Sequence, residues 1–146
     1  VMCNTSKYGG GGIYNYYATT CIDCEDVAFV MTHELGHSIS GLADEYYTSE
    51  VSVENYYQLN VEPWEPNITT LVHFEKKWKD MVNKSTPIPT PQEGYKDNVG
   101  VFEGGGYQAK GVYRPVMNCS MKDVEYNRFC PVCKKSIKQM IDYYCK

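Results

Sequence analysis

The chain has 146 residues, room for one domain spanning 1–146 and not for two full-sized ones. Apolar residues make up 42% and charged residues 22%, enough to bury a core, which excludes wholesale disorder. The net charge of -4 argues against a protein built to grip nucleic acid, and no apolar run is long enough to span a bilayer.

In chain order, residues 1–4 read as a short strand. Four glycines, Gly9 to Gly12, follow; they are expected to form a bulge or a loop where another backbone comes close, not a good central strand. The β-rich, Tyr-lined segment after them, Ile13 to Thr19, reads equally as a hairpin edge beside a cleft or as a flexible connector. The clearest helix runs from Cys24 to Ser40, with Asp23 as its N-cap, Glu25 and Asp26 in the first turn and Gly41 as its stop. From Ala43 to Val101 prolines break the chain into loops, with one expected helix near Ile68 to Asn83 capped by Asn67. Gly104, Gly105, Gly106 and Gly111 make a glycine-rich turn. The tail from Pro131 to Cys145 spaces Ile137, Met140, Ile141 and Tyr144 as an amphipathic terminal helix.

Two compositional excesses point to a compartment. Fourteen of the aromatics are Tyr, which suits surfaces and clefts needing an apolar body with a polar tip. Seven cysteines and the N-x-S/T sequons at Asn4, Asn67, Asn83 and Asn118 point to a secreted or cell-surface protein. No signal peptide is visible from Val1, so either one has been removed or the chain is expected to be a piece of a longer precursor. Three disulfides and one leftover thiol are expected in that setting. The competing pattern is a structural zinc site built from Cys21, Cys24, Cys130 and Cys133.

Chemistry concentrates in His33-Glu34-Leu35-Gly36-His37. Residues four apart lie on one helix face, so both imidazoles can hold one metal ion. Neutral imidazole suits zinc, which wants roughly tetrahedral ligands. Glu34 lies beside the metal without ligating it, placed to take a proton from the attacking water and pass it to a leaving amine. At this composition the motif is expected only about 0.005 times by chance. A glycine at 41 lets the chain turn back, which makes Asp44 the expected third ligand, with Glu45 as competitor. His73 reads as a surface or capping residue.

The string from His33 through Gly41 and Asp44 to Tyr46 resembles the metzincin clan of zinc endopeptidases, with one extra residue before the glycine and Asp in the last ligand place. Together with Tyr8 to Asn15 and Tyr113-Arg114-Pro115 through Cys119-Ser120-Met121, it is closer still to the immunoglobulin A peptidase family. The resemblance implies an α+β fold: a metzincin-like zincin catalytic core with an active-site helix and a C-terminal subdomain ending in a helix. It also implies one catalytic Zn2+, a methionine turn at Met121 (Met117 being the weaker candidate), and a sheet edge at Gly9 to Tyr17 that aligns substrate as an added strand. Only 32 residues precede His33, so the upstream sheet is expected to be incomplete and the chain to be a fragment. Arg114 and Tyr113 are expected to brace the floor of the site, with substrate contact as the alternative.

The function expected is zinc-dependent endopeptidase hydrolysis of a protein or peptide substrate, with Glu34 as general base. Thr48 to Val101 is expected to set specificity. The rival is a non-catalytic zinc-stabilised binding domain on a peptidase scaffold; the intact Glu34 argues against it, because a purely structural site has no use for a carboxylate there. A zinc amidase would share every residue.

Overall fold

The computed structural model describes residues 1–48 and 55–146. Residues 49–54, within the stretch expected to set specificity, lie outside the described residues. Among the described residues the architecture is a small α+β arrangement of two helices and two small sheets. Strands β1 (Met2–Cys3), β2 (Gly10–Ile13) and β3 (Tyr17–Cys21) form one sheet in the order β1-β3-β2, with β1 parallel and β2 antiparallel to β3. Strands β4 (Phe102–Gly105) and β5 (Gln108–Arg114) form an antiparallel hairpin, and Thr69 adds an isolated bridge to Tyr113. Helix α1 (Val27–Ser40) packs on β2 and β3, and α2 (Pro131–Tyr144) packs against α1.

The glycine run is neither a bulge nor a loop, since Gly10 to Gly12 are regular strand hydrogen-bonded to β3, but the expected close approach of another backbone is there. What requires glycine is the helix lying on them. A Cβ on Gly12 would meet the Glu34 carbonyl oxygen at 2.5 Å and the His37 Cβ at 2.6 Å, and one on Gly10 would meet the Glu34 side chain at 2.7 Å. In an open strand Gly→Ala stabilises by restricting the unfolded chain; here overpacking wins. Gly12→Ala should therefore cost about 1–3 kcal/mol, read as a lower urea midpoint with an unchanged slope. A stabilised variant would mean that β2 can slide off α1 at no cost.

Helix α1 starts three residues later than expected. The Cys21–Cys24 disulfide holds the connection from β3 in a turn, so Asp26, not Asp23, occupies the cap position, without a side-chain cap bond. The end falls where expected: Gly41 is left-handed (φ 61°), and its N–H bonds back to the His37 carbonyl at 3.0 Å. The buried stripe of α1 is Phe29, Val30, His33, Glu34, Gly36 and Ser40. Its apolar N-terminal half anchors the helix on the sheet, so the polar half is carried into the interior with it.

The helix expected over Ile68 to Asn83 does not form. Two short 3-10 turns, Phe74–Lys76 and Lys79–Met81, take its place. Asn67, expected as a cap, is fully buried and spends its amide on the Ala43 backbone N–H (2.7 Å) and carbonyl (2.9 Å) and on Glu45 (3.0 Å). Thr69 is drawn into the bridge to β5, and Leu71 turns left-handed at φ 70°. Tertiary hydrogen bonds thus outbid a local helix propensity that is small per residue. The same burial removes Asn67 as a glycan acceptor, while Asn4, Asn83 and Asn118 are exposed.

The main core gathers Leu42, Phe74, Trp78, Val101, Met121 and Val132 around three cysteines, 119, 130 and 133. Helix α2 begins as expected at Pro131, with the Cys130 sulfur accepting from the Cys133 N–H. Its buried face is Val132, Cys133 and Ser136 with Ile137 packed behind. Ile141 and Tyr144 from the expected stripe are exposed. The cysteine bookkeeping is also corrected. Cys21–Cys24 is the one disulfide, Cys3 and Cys145 are exposed free thiols, and Cys119, Cys130 and Cys133 are buried free thiols. A four-cysteine site with Cys21 and Cys24 is thereby ruled out.

Candidate metal centre and substrate cleft

Successive turns of α1 put His33 and His37 on the face towards the segment after Gly41, and the left-handed turn there brings Asp44 back to meet them. The Asp44 Oδ1 atom lies 2.9 Å from His33 Nε2 and 3.3 Å from His37 Nε2, and the two Nε2 atoms are 3.1 Å apart. A tetrahedral zinc with bonds near 2.0–2.1 Å would space its ligand atoms about 3.3 Å apart. The triangle therefore matches three corners of such a polyhedron.

The orientation of each donor is fixed from behind. His33 Nδ1 donates to the Ser120 carbonyl at 2.8 Å, and His37 Nδ1 donates to the Leu42 carbonyl at 2.5 Å. With Nδ1 protonated, each neutral ring turns its Nε2 lone pair inward. Asp44 Oδ2 accepts from the Tyr107 hydroxyl, which itself accepts from Tyr46 at 3.3 Å. Asp44 Oδ1 is buried and receives no hydrogen bond. Three lone-pair donors converging in a buried corner repel one another unless a cation lies between them. Two buried imidazolium ions could also fill that role, at the cost of desolvating both charges; one divalent cation does it without them. The residues fit a metal ion.

Electrostatics follow the same geometry. Burial penalises the Asp44 carboxylate, yet with no cation between the donors it is the protonated His33 and His37 imidazoles that hold it well below the usual carboxylate range. Burial likewise opposes protonation of His37, and Asp44 reverses that to push it up. Glu34 is buried, and desolvation raises its carboxyl against the pull of the two imidazoles. Tyr46 is pushed up to about 12 by burial and by Asp44, so its phenol keeps its proton throughout the physiological range.

The centre opens onto a cavity of about 400 Å³ lined by Gly10 to Gly12, His33, Glu34, His37, Asp44 and a collar of Tyr14, Tyr46, Tyr56, Tyr57, Tyr107 and Trp64. A second cavity of about 520 Å³ continues past Gly10, His33, Glu34 and Tyr46 towards Tyr8, Phe29 and Lys122. The two meet at Glu34 along β2, an outer strand of its sheet. The collar loop is held by Lys77, which donates to the carbonyls of Pro63 and Glu65.

Glu45, the competing third ligand, faces away from the histidines: its Oε1 accepts from Asn67, and its carboxylate is fully buried. His73 is exposed beside Glu75 at 3.2 Å. Met121 is fully buried beneath α1, where its sulfur would lie 2.7 Å from a Cβ on Gly36. Its carbonyl accepts from the Glu45 N–H at 2.7 Å. Arg114 is buried and braces β4, donating at 2.7 Å to the carbonyls of Glu103 and Gly104; among the described residues it forms no ion pair. Tyr46 and Tyr107 carried no spacing signal in the sequence. Only the high tyrosine content hinted at a tyrosine-lined cleft.

A buried carboxylate thus stands next to three converging donor atoms, at the junction of two cavities along a strand edge. The sequence model of IgA Peptidase M64 matches residues 1–98 and 92–141, and the chain belongs to that family. No curated protein matches it. Among the described residues no helix is long and apolar enough to cross a membrane.

Proposed function

We propose that this domain is a zinc-dependent endopeptidase, and the observation that carries the reading is the buried, unpartnered Asp44 Oδ1 facing both imidazoles. His33, His37 and Asp44 would hold a single zinc, whose Lewis acidity would polarise the scissile carbonyl and acidify the attacking water. Glu34, at the cleft edge, takes the proton from that water and delivers it to the departing amine. Burial raises the basicity of its carboxylate, the direction that a proton acceptor needs. The Tyr46–Tyr107 hydroxyl pair fixes Asp44 so that its free oxygen points at the imidazoles. The outer edge of β2, stripped of side chains by Gly10, Gly11 and Gly12, lets an extended peptide lie against the backbone as an added strand. Met121 serves as the apolar floor of the centre, the role of a metzincin methionine turn. The disulfide and the three exposed sequons support secretion or display at the cell surface.

Mass spectrometry of a diverse peptide mixture tests the reading. The zinc-loaded chain should cut at internal bonds, chelator-stripped chain should not, and added zinc should restore cutting. Silence from a properly folded, zinc-loaded chain would favour the binding-domain alternative. Because protons compete for the two histidines, bound zinc should fall as the pH drops below about 6, followed by metal analysis after dialysis at a series of pH values. Full retention at pH 5 would mean that the histidines are not ligands.

A further inference from the structure

Beneath the catalytic floor, a second set of donors converges where none is expected in a core. Sulfurs of Cys119, Cys130 and Cys133 and a carboxylate oxygen of Glu45 all lie within 4.8 Å of one another, and all four residues are buried. We propose that these four residues form a closed structural zinc site, separate from the histidine centre, that ties the third-ligand segment, the Met121 segment and α2 together.

Three observations carry it. The first is spacing. Cys119 Sγ lies 3.8 Å from Cys133 Sγ, and Cys133 Sγ lies 3.5 Å from Glu45 Oε1. Tetrahedral zinc with Zn–S near 2.3 Å and Zn–O near 2.0 Å would put sulfurs about 3.8 Å apart and sulfur and oxygen about 3.5 Å apart. A disulfide would need about 2.05 Å, and three thiols in one pocket cannot all pair.

The second is charge. Glu45 is completely buried, and its Oε2 has no partner. Among the described residues no cation forms an ion pair with it; the Arg114 guanidinium acts on it only through space, its Nη1 being held by the carbonyls of β4. A buried carboxylate without a cation is costly, and a zinc ion in the middle of the cluster supplies one.

The third is the backbone. The Cys130 N–H donates to the Cys119 sulfur at 3.3 Å, and the Cys133 N–H donates to the Cys130 sulfur at 3.4 Å. Amide bonds to sulfur at the start of a helix stabilise thiolates, the form that ligates. Three sulfurs and one oxygen with no open position favour zinc in a structural role. Asp44 and Glu45 are consecutive, so one short segment would serve both ions, and the carbonyl that orients His33 belongs to Ser120, next to Cys119.

The experiment is a metal count with a sulfur-specific signature, made on the 146-residue chain. Zinc-replete protein should carry two zinc ions, and the His33→Ala/His37→Ala variant should keep one. Cobalt substitution of the unmutated chain, which needs no variant to fold, should give intense thiolate-to-cobalt charge-transfer absorption, because the histidine centre contains no sulfur. Mercurial titration of the thiols should release one ion while the histidine-bound ion stays. The proposal is overturned by a wild-type count of one that falls to none in the histidine variant, by the absence of a charge-transfer band, or by a native disulfide among Cys119, Cys130 and Cys133. None of these readouts depends on peptide cleavage, so inactivity of the domain leaves the result intact.

Discussion

Glu34→Gln is expected to lower kcat by about 10²–10⁴-fold, the usual contribution of a positioned general acid–base group, while leaving zinc content unchanged. The two outcomes separate because Glu34 stands beside the donor triangle without belonging to it. The three converging atoms come from His33, His37 and Asp44, and Gln is nearly the same size, so the packing against Gly10 is kept. In transition-state terms the loss is about 3–5 kcal/mol. Steady-state kinetics on a peptide found in the mixture experiment, with metal analysis of the same samples, gives both numbers. Undiminished turnover would remove Glu34 from the mechanism, and simultaneous loss of zinc would make it a ligand.

Asp44→Ala is expected to weaken the histidine-centre ion by more than the roughly 10–100-fold typical of removing a supporting partner, since Asp44 supplies a direct donor. Competition with a chromophoric chelator measures it. The control is Glu45→Gln, which leaves His33, His37 and Asp44 in place because Glu45 points into the cysteine cluster instead. If Asp44→Ala binds as tightly as the parent chain, another group completes the triangle. If Glu45→Gln empties the histidine centre while Asp44→Ala does not, the ligand roles assigned to these neighbours are reversed.

How much of this was legible beforehand varies residue by residue. The pairing of His33 with His37 needed only helical periodicity, and Gly41 needed only its conformational freedom. Both are local properties, and both landed within a residue of expectation. The helix expected over 68–83 was also a local reading, and it failed. Asn67 and Thr69 found stronger partners in Ala43, Glu45 and Tyr113, which are distant in sequence. The glycine run was legible only in part for a related reason: a close backbone was expected, but the residues that exclude a Cβ at Gly10 and Gly12 belong to α1, about two dozen positions on, and the run lies beneath them as regular strand.

The cysteines mark the same boundary. Their number suggested disulfides, and the two C-x-x-C pairs suggested a single four-sulfur site, because spacing treats both pairs alike. In the fold the first pair closes a turn on the sheet as a disulfide, and the second opens α2 in a different core. The sequence by itself determined the helix that carries His33, Glu34 and His37 and the stop that returns the chain to Asp44, because each rests on contacts between residues near one another along the chain; the resemblance to a peptidase family was legible too, because it rests on residue identities rather than on contacts. Only the tertiary structure decided which of two adjacent acids faces the histidines, which tyrosines hold it, and which three cysteines share a pocket with the other. Those are long-range choices, made when α1, the β4–β5 hairpin and α2 compete for the same buried volume.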